Sequence, residues 1–199
     1  MLAALALAGA VAFAVACGSD DDSSDSTPAA STPAATPPAS TPTAQAAAYP
    51  MTLTDMLGRS VTIDAAPEKV AALSPTTVEY VYAAGGTSVT RSTSVRFPAE
   101  AAGATDIGSS YQPNFEVIAG QAPDLIIADS ILQAQLKDQL EALKIPVLFA
   151  GAASYDDAPK GLRLVGMAIG NAEEGEAAAK ALEDTKAAII AKLPAAKPS

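Results

Sequence analysis

Short apolar runs alternate with amphipathic stretches along residues 70–193, and this pattern predicts strands alternating with helices. The clearest run is Leu-Ile-Ile-Ala at 125–128, whose uninterrupted apolar character is typical of a strand covered on both faces. Similar runs predict strands at 70–73 and 146–149, and a weaker one at 88–90. Because strands that alternate with helices pair in parallel, the predicted fold class is α/β, with a parallel sheet and flanking helices.

A β-hairpin is predicted ahead of this alternation. Residues 51–55 and 60–64 alternate apolar and polar side chains, and Gly58 lies in the turn between them. Farther along the chain, apolar residues at helical spacing predict a helix over 131–143. Residues 157–193 are also predicted to be helical, with one internal break.

Two competing signals mark the start of the first helix. Ser74 is a candidate N-cap, because Pro75 behind it suits the first helical position. Thr76 and Glu79 stand at the spacing of a capping box, which would start the helix later. Both assignments remain open from the sequence.

The helix expected at 114–120 has clearer boundaries. Asn114 is a good N-cap, and Glu116 falls in the first turn, where a carboxylate suits the positive end of the helix dipole. Gly120 is expected to end the helix in a left-handed conformation, and Pro123 cannot continue it.

Residues 1–48 are predicted to form a leader followed by a linker. Residues 1–17 are apolar up to Cys17, too short to span a bilayer, and are predicted to form a lipoprotein signal peptide in which 14–16 resemble a lipobox. A plain secretory signal with an incidental cysteine is the alternative. No basic residue precedes Arg59, which indicates a start codon farther upstream. Residues 18–48 are rich in Ser, Thr, Pro and Ala and are expected to be a disordered linker.

Composition excludes several function classes. The chain has no histidine and one cysteine, which removes His-based catalytic triads and the usual zinc ligands. Its net charge of −10 argues against nucleic acid as a partner. No glycine-rich phosphate fingerprint follows a strand. We therefore expect neither an enzyme, nor a cofactor, nor a resident metal.

Four segments in a fixed order resemble one protein family. They are residues 70–79, Phe97-Pro98, residues 114–116 and residues 123–128. The set is similar to substrate-binding proteins of bacterial ABC importers, in the branch that takes up vitamin B12, ferric siderophores and haem. The resemblance implies two Rossmann-like lobes joined by a long helix, with the ligand between the lobes.

The resemblance also implies a division of the chain. Residues 49–156 would form the N-terminal Rossmann-like lobe. Residues 157–199 would form a helical connector, broken at Gly170-Asn171, whose long helix covers 172–193. The family continues into a second lobe, so the expectation is that this chain carries one lobe and half of a binding cleft.

Loops that follow parallel strands gather at one edge of a sheet, where open α/β sheets bind ligands. Here these loops supply hydroxyls, a phenol and an arginine, which suit a large polar or anionic chelate. The candidate ligand-binding residues are Ser74, Thr76, Thr77, Arg96, Phe97, Ser110, Tyr111, Asp129 and Ser130.

Several of these candidates can also be interpreted as structural residues with no role in ligand binding. Tyr111 resembles the aromatic that family members place against the ligand, but it could be a rim residue packed on its own loop. Arg96 could pair with ligand carboxylates or be a solvated loop charge. Ser74 and Thr76 could be helix caps only. Phe97 stands near where a haem-binding relative would often carry a tyrosine, which places haem below a siderophore or corrinoid.

The function implied by the resemblance is delivery of a ferric siderophore or corrinoid to an ABC permease and its ATPase. Glu116 matches the glutamate that family members dock on an arginine of the permease; complementing the helix dipole is the alternative. The protein would be a monomer, held by lipid on Cys17 at the outer face of the cytoplasmic membrane, in the periplasm or at the cell surface. A membrane-anchored one-lobe structural or sensory module is the competing reading.

Overall fold

The computed structural model describes residues 48–193, which form strands and helices in the alternation that the sequence predicts. The strands are β1 (Met51–Thr54), β2 (Ser60–Ile63), β3 (Val70–Ala72), β4 (Ser88–Arg91), β5 (Thr105–Asp106), β6 (Gly108–Ser109), β7 (Gln112–Pro113), β8 (Leu125–Ala128) and β9 (Val147–Phe149). The helices are α1 (Pro75–Ala83), α2 (Phe115–Gly120), α3 (Lys137–Glu141), α4 (Asp157–Ala168) and α5 (Ala172–Ile190), with 3₁₀ turns at Ala99–Gly103 and Ala134–Leu136.

The central sheet has five strands in the order β5-β4-β3-β8-β9, and all of its pairs are parallel. The chain builds outward from β3 to β5, then returns to β8 on the other side of β3. The strand order therefore reverses between β3 and β8. In an open α/β sheet, the carboxyl ends of strands at such a reversal flank a crevice suited to ligands.

Both faces of the sheet are covered, which confirms the reading of 125–128 as a fully buried strand. Leu125 and Ile127 belong to a core shared with α1, α4 and α5, whereas Ile126 and Ala128 belong to a second core shared with α2 and α3. Successive side chains of a strand point to opposite faces, so one four-residue run supplies both cores.

The predicted hairpin is present as β1 and β2, with Gly58 in the left-handed region at φ +78°. The buried Asp55 carboxylate holds its turn: Oδ1 accepts from the Leu57 and Arg59 amides, and Oδ2 accepts from the Arg59 guanidinium and, at 3.3 Å, from the Phe149 amide. Through this last bond, the hairpin is fixed to the end of β9.

The competition between caps at the first helix is resolved in favour of Ser74. Its Oγ accepts from the Thr77 amide at 3.2 Å, and Thr77 Oγ1 accepts from the Ser74 amide at 3.0 Å, which makes a capping box. The alternative prediction, a capping box formed by Thr76 and Glu79, is therefore wrong. Pro75 occupies the start of the helix, as its fixed φ favours.

Two helix predictions need correction. Gly120 is the last residue of α2 and is not left-handed; Ala122 takes that conformation, at φ 48°, just before Pro123. The helix predicted over 131–143 is shorter, because the chain first makes a turn held by Asp129, whose carboxylate accepts two backbone amides. The break at Gly170 is confirmed, with φ +83°.

The predicted signal peptide, Cys17 and all but the last residue of the linker lie outside the described residues. Within residues 48–193, no helix combines the length and the apolar character that crossing a bilayer requires.

Candidate functional site

The carboxyl ends of β3 and β8 carry hydroxyl and carboxylate groups that touch each other. Ser74 lies just beyond β3 and Asp129 just beyond β8, and Ser74 Oγ donates to Asp129 Oδ2 at 3.2 Å. The sequence places these residues far apart, and the parallel pairing of the two strands brings them together. This contact marks the centre of the candidate ligand edge.

Asp129 is buried, and its carboxylate is satisfied inside the protein. Oδ1 accepts from the amides of Ile131 and Leu132 at 2.8 and 3.0 Å, and Oδ2 accepts from Ser74. A buried carboxylate that accepts several hydrogen bonds is stabilised without a cationic partner. Asp129 therefore shapes the loop after β8 as well as closing onto Ser74.

The loop after β9 lies tightly against the loop after β8. A Cβ on Gly151 would come within 2.6 Å of Ser130 Oγ and 3.0 Å of Asp129 Oδ1. The Ser130 amide donates to the carbonyl of Ala150 at 3.3 Å. A side chain at 151 would therefore force Ser130 or Asp129 to shift, so the two loops are in close contact here.

Gln133 is a central residue of this edge, and the sequence alone does not single it out. Its side chain is fully buried, although it lies in a stretch with an apolar helical stripe. Its Nε2 donates to the carbonyls of Leu73 and Ser110, and its Oε1 accepts from the Asp129 amide. The only sequence signal was a polar residue close behind the strand end.

A second group of loops continues the edge beyond β4. The Thr93 amide donates to the Gly108 carbonyl at 2.8 Å, which ties the loop after β4 to the β6–β7 hairpin. Ser94 Oγ lies 3.3 Å from Ser110 Oγ. The hairpin turn is therefore held both by this loop and by Gln133.

The exposed part of this region is a shallow hollow of about 500 Å³ beside the hairpin turn. Tyr111, with 62% of its surface exposed, lines it together with Arg96. The Arg96 guanidinium donates to the carbonyls of Thr93 and Val95, which holds its base on the loop. A phenol ring and a cation thus face solvent in one hollow, next to several hydroxyls.

Phe97 faces a different groove. It is 67% exposed and lines a mostly apolar groove of about 440 Å³ with α1 residues Glu79 and Tyr82 and with Pro98 and Glu100. Partial burial in this groove raises the pKa of the Glu79 carboxyl. The structure therefore separates Phe97 from the hollow that holds Arg96 and Tyr111.

The nine candidate ligand residues differ in their exposure. Thr76 is half-buried and three are exposed, namely Arg96, Phe97 and Tyr111. The buried ones are Ser74, Thr77, Ser110, Asp129 and Ser130. Which of these residues contact a ligand stays a prediction.

Glu116 is exposed in the first turn of α2. Asn114 Oδ1 accepts from the Val117 amide at 3.1 Å, so the helix is already capped. Among the described residues, the Glu116 carboxylate has no hydrogen bond or ion pair. It is thus available to a partner, and docking stays a prediction.

One buried group close to this edge is unsatisfied. Tyr80 packs its ring against Gly161 of α4, and its hydroxyl has no hydrogen-bond partner among the residues that the structure describes. Burial, followed by the negative charges of Asp129, Asp157 and Glu79, raises the pKa of Tyr80 to about 12.

Within 48–193, no three acidic side chains are grouped so that they could hold a metal ion.

Comparison with known proteins places this fold in a family. A family model described as periplasmic binding protein matches residues 70–199. A Bacillus subtilis protein, named as the uncharacterized ABC transporter substrate-binding lipoprotein YvrC, is 27% identical over 189 residues, covering 92% of this chain and 53% of the relative. The vitamin B12-binding protein of Salmonella choleraesuis is 31% identical over 137 residues, covering 68% of this chain and 51% of that protein.

A solved structure shows the same architecture. Staphylococcus aureus SirA, complexed with staphyloferrin B, matches with a TM-score of 0.59 at 23% identity, covering 69% of this chain and 48% of that chain. At this identity the match shows a shared fold, and it agrees with the predicted α/β class. The chain spans about half the length of the curated relatives that it matches.

Proposed function

The chain belongs to the periplasmic binding protein family, as its motifs indicated, and we propose that it is the solute-binding component of an ABC importer. The proposal is supported by the relatives named as an ABC transporter substrate-binding lipoprotein and as a vitamin B12-binding protein. In this reading residues 49–156 form one lobe of a binding cleft, and residues 157–199 lead towards the other. The protein holds a solute and carries out no catalysis.

The proposed ligand is a metal chelate of the corrinoid or ferric siderophore type. The observation that carries this proposal is the hollow in which Tyr111 and Arg96 face solvent at the ligand edge. An exposed aromatic ring offers apolar contact to a large organic ligand, and an arginine beside it offers charge-assisted hydrogen bonds to carboxylates or phosphates. The SirA complex with staphyloferrin B provides a precedent for a chelate on this fold.

The proposed partners are an ABC permease with its ATPase, and a membrane surface. Lipid on Cys17 would hold the protein outside the cytoplasmic membrane as a monomer, and the name of the Bacillus subtilis relative supports a lipoprotein. The long Pro-rich linker would let the lobe reach the permease. The alternative that the sequence left open, a membrane-anchored one-lobe structural or sensory module without a transport role, is the second candidate.

The test is a binding measurement on the product of the whole reading frame that contains this chain. Calorimetric titration with cyanocobalamin, with a ferric siderophore, and with zinc or manganese chloride compares chelates with bare ions. We expect one chelate to bind, quench tyrosine fluorescence and raise the melting temperature, because a ligand that binds only the folded state stabilises it. The proposal would be overturned if only the bare ions bound tightly, or if no probe bound at all. The one-lobe module would then be the remaining hypothesis.

A further inference from the structure

The crevice at the strand reversal is filled by the protein itself. In an open α/β sheet the space between the carboxyl ends of β3 and β8 is where a ligand is expected. Here the Gln133 side chain occupies it, with no exposed surface. The ligand edge therefore has a closed centre and an exposed rim.

Gln133 joins three separate segments through its amide. Nε2 donates to the carbonyl of Leu73 at the end of β3, at 3.2 Å, and to the carbonyl of Ser110 in the hairpin turn, at 2.7 Å. Oε1 accepts from the amide of Asp129 beyond β8, at 2.8 Å. The two acceptors and the one donor all belong to the backbone, so the amide links three backbone segments rather than side chains.

Only an amide of this length satisfies this arrangement. A glutamate would place carboxylate oxygens against the two carbonyl oxygens, and an apolar residue would leave all three backbone groups without this partner. Buried polar groups that lose their partner are costly, so the arrangement is specific to glutamine. The residue after the anchored Ser110 is Tyr111, the most prominent side chain of the hollow.

We propose that Gln133 is a positioning residue: it closes the crevice between β3 and β8 and holds the 108–113 hairpin so that Tyr111 faces the ligand. The part that concerns the ligand rests on the function proposed above. A chelate would then lie across the rim formed by Arg96 and Tyr111, and would not enter the crevice. Gln133 acts on the ligand only through the hairpin and has no contact with it.

The first test needs no ligand. Hydrogen–deuterium exchange is measured on the full chain for the wild type, for Gln133→Met and for Gln135→Met. Gln135 is a matched control, because it is exposed and bonds only within its own turn. We expect Gln133→Met to speed exchange at residues 108–112 by about tenfold relative to residues 147–149, and the control to leave both unchanged.

Equal acceleration in both segments would mean that Gln133 contributes to general stability only, and would overturn the proposal. So would unchanged exchange at 108–112. If Gln133→Met does not fold, Gln133→Asn takes its place, since it keeps the amide but shortens its reach, and the same comparison decides.

The second test uses the chelate that binds best among cyanocobalamin and a ferric siderophore. We expect Gln133→Met and Tyr111→Ala each to weaken binding about tenfold, and the double variant to be no weaker than Tyr111→Ala alone, because both act through one contact. Additive losses would overturn the proposal. If no chelate binds the wild type, the proposed function fails, while the exchange experiment still decides whether Gln133 positions the hairpin.

Discussion

Gly166 and Gly175 bring α4 and α5 together with almost no space between their backbones: a Cβ on Gly166 would lie 2.8 Å from the Cα of Gly175. The same Cβ would lie 2.9 Å from the carbonyl oxygen of Asn171. The neighbouring atoms are backbone, so they cannot move aside as a side chain would. The two helices can be this close only because both positions lack a side chain.

We therefore predict that Gly166→Ala destabilises the protein. Overpacking a well-filled contact costs about 1–3 kcal/mol, and the better helix propensity of alanine offsets about 1 kcal/mol of that. The net loss should lower the melting temperature by several degrees in thermal unfolding followed by circular dichroism. Gly120→Ala is the control, because nothing lies within 4 Å of its added Cβ, and it should be neutral or slightly stabilising. Equal stability of the two variants would contradict the close approach.

The break near Gly170 was predictable from the sequence, whereas the contact between Gly166 and Gly175 was not. A glycine followed by a polar residue is a local signal for the end of a helix, and α4 does end there, after Ala168. A close approach depends on how two helices cross, and nothing local distinguishes Gly166 from a glycine that is merely tolerated. The left-handed residue after α2 was also misassigned, because Ala122, two residues after Gly120, takes that conformation.

The candidate site shows the same limit. Apolar runs and strand ends located the loops correctly, and the hydroxyl of Ser74 reaches Asp129 as the gathering of loops at one edge implies. Gln133 could not be found, because its partners Leu73 and Ser110 are 60 and 23 residues away in sequence. In the sequence, Gln133 stands between apolar residues at helical spacing, where an exposed polar side chain is the ordinary case. Long-range hydrogen bonds to backbone carbonyls leave no pattern in the sequence.

We predict that Tyr80→Phe stabilises the protein by roughly 1 kcal/mol at neutral pH. The hydroxyl that it removes is buried without a partner within the described part of the chain, and such a group carries a desolvation cost. Chemical denaturation of both proteins measures the difference. Tyr82→Phe, on the same helix but half-buried, is the control and should change little. A clear loss of stability in Tyr80→Phe would reveal a hydrogen bond that the hydroxyl makes after all.

The same residue gives a pH dependence with a definite sign. Tyr80 ionises near its ordinary pKa of 10 when unfolded but only at about 12 when folded. Below pH 10 both states hold the proton, so the shift has no effect. As pH rises from 10 to 12 the unfolded state is stabilised by losing this proton, and the wild type loses roughly 2–3 kcal/mol of stability relative to Tyr80→Phe. A constant difference between the two proteins over this range would contradict the raised pKa.

A further prediction concerns the anchor. Cys17 follows an apolar leader and precedes the Pro-rich linker, so Cys17→Ala should prevent lipid attachment. We expect the variant to leave the membrane fraction and to appear as soluble protein, and radiolabelled fatty acid to enter only the wild type. Both proteins are made with the same leader, so they start with the same export signal. Membrane retention of the variant together with an unlabelled wild type would indicate a plain secretory signal.

Tyr111→Ala should weaken chelate binding about tenfold, as loss of an aromatic anchor of roughly 1–2 kcal/mol would. The ring is mostly exposed, so the melting temperature without ligand should stay close to that of the wild type. Gln112→Ala is the control, since Gln112 is an exposed neighbour in the same hairpin. Isothermal titration of the three proteins with the same chelate makes the comparison. Unchanged affinity in Tyr111→Ala would assign the ring to packing on its own loop.

The last prediction concerns Glu116. Docking on the permease and complementing the dipole of α2 predict different effects of a substitution at this position. Asn114 already caps α2, so Glu116→Gln should change stability by no more than about 0.3–1 kcal/mol and leave ligand affinity unaltered. Docking predicts weaker association with the permease in nanodiscs and a smaller dependence on salt, since exposed charges at an interface act through screened attraction. Glu173→Gln is the control, because Glu173 is likewise the second residue of its helix, α5, and is exposed like Glu116. If the wild type and both variants bound the permease with equal affinity at low salt, Glu116 would only complement the dipole of α2.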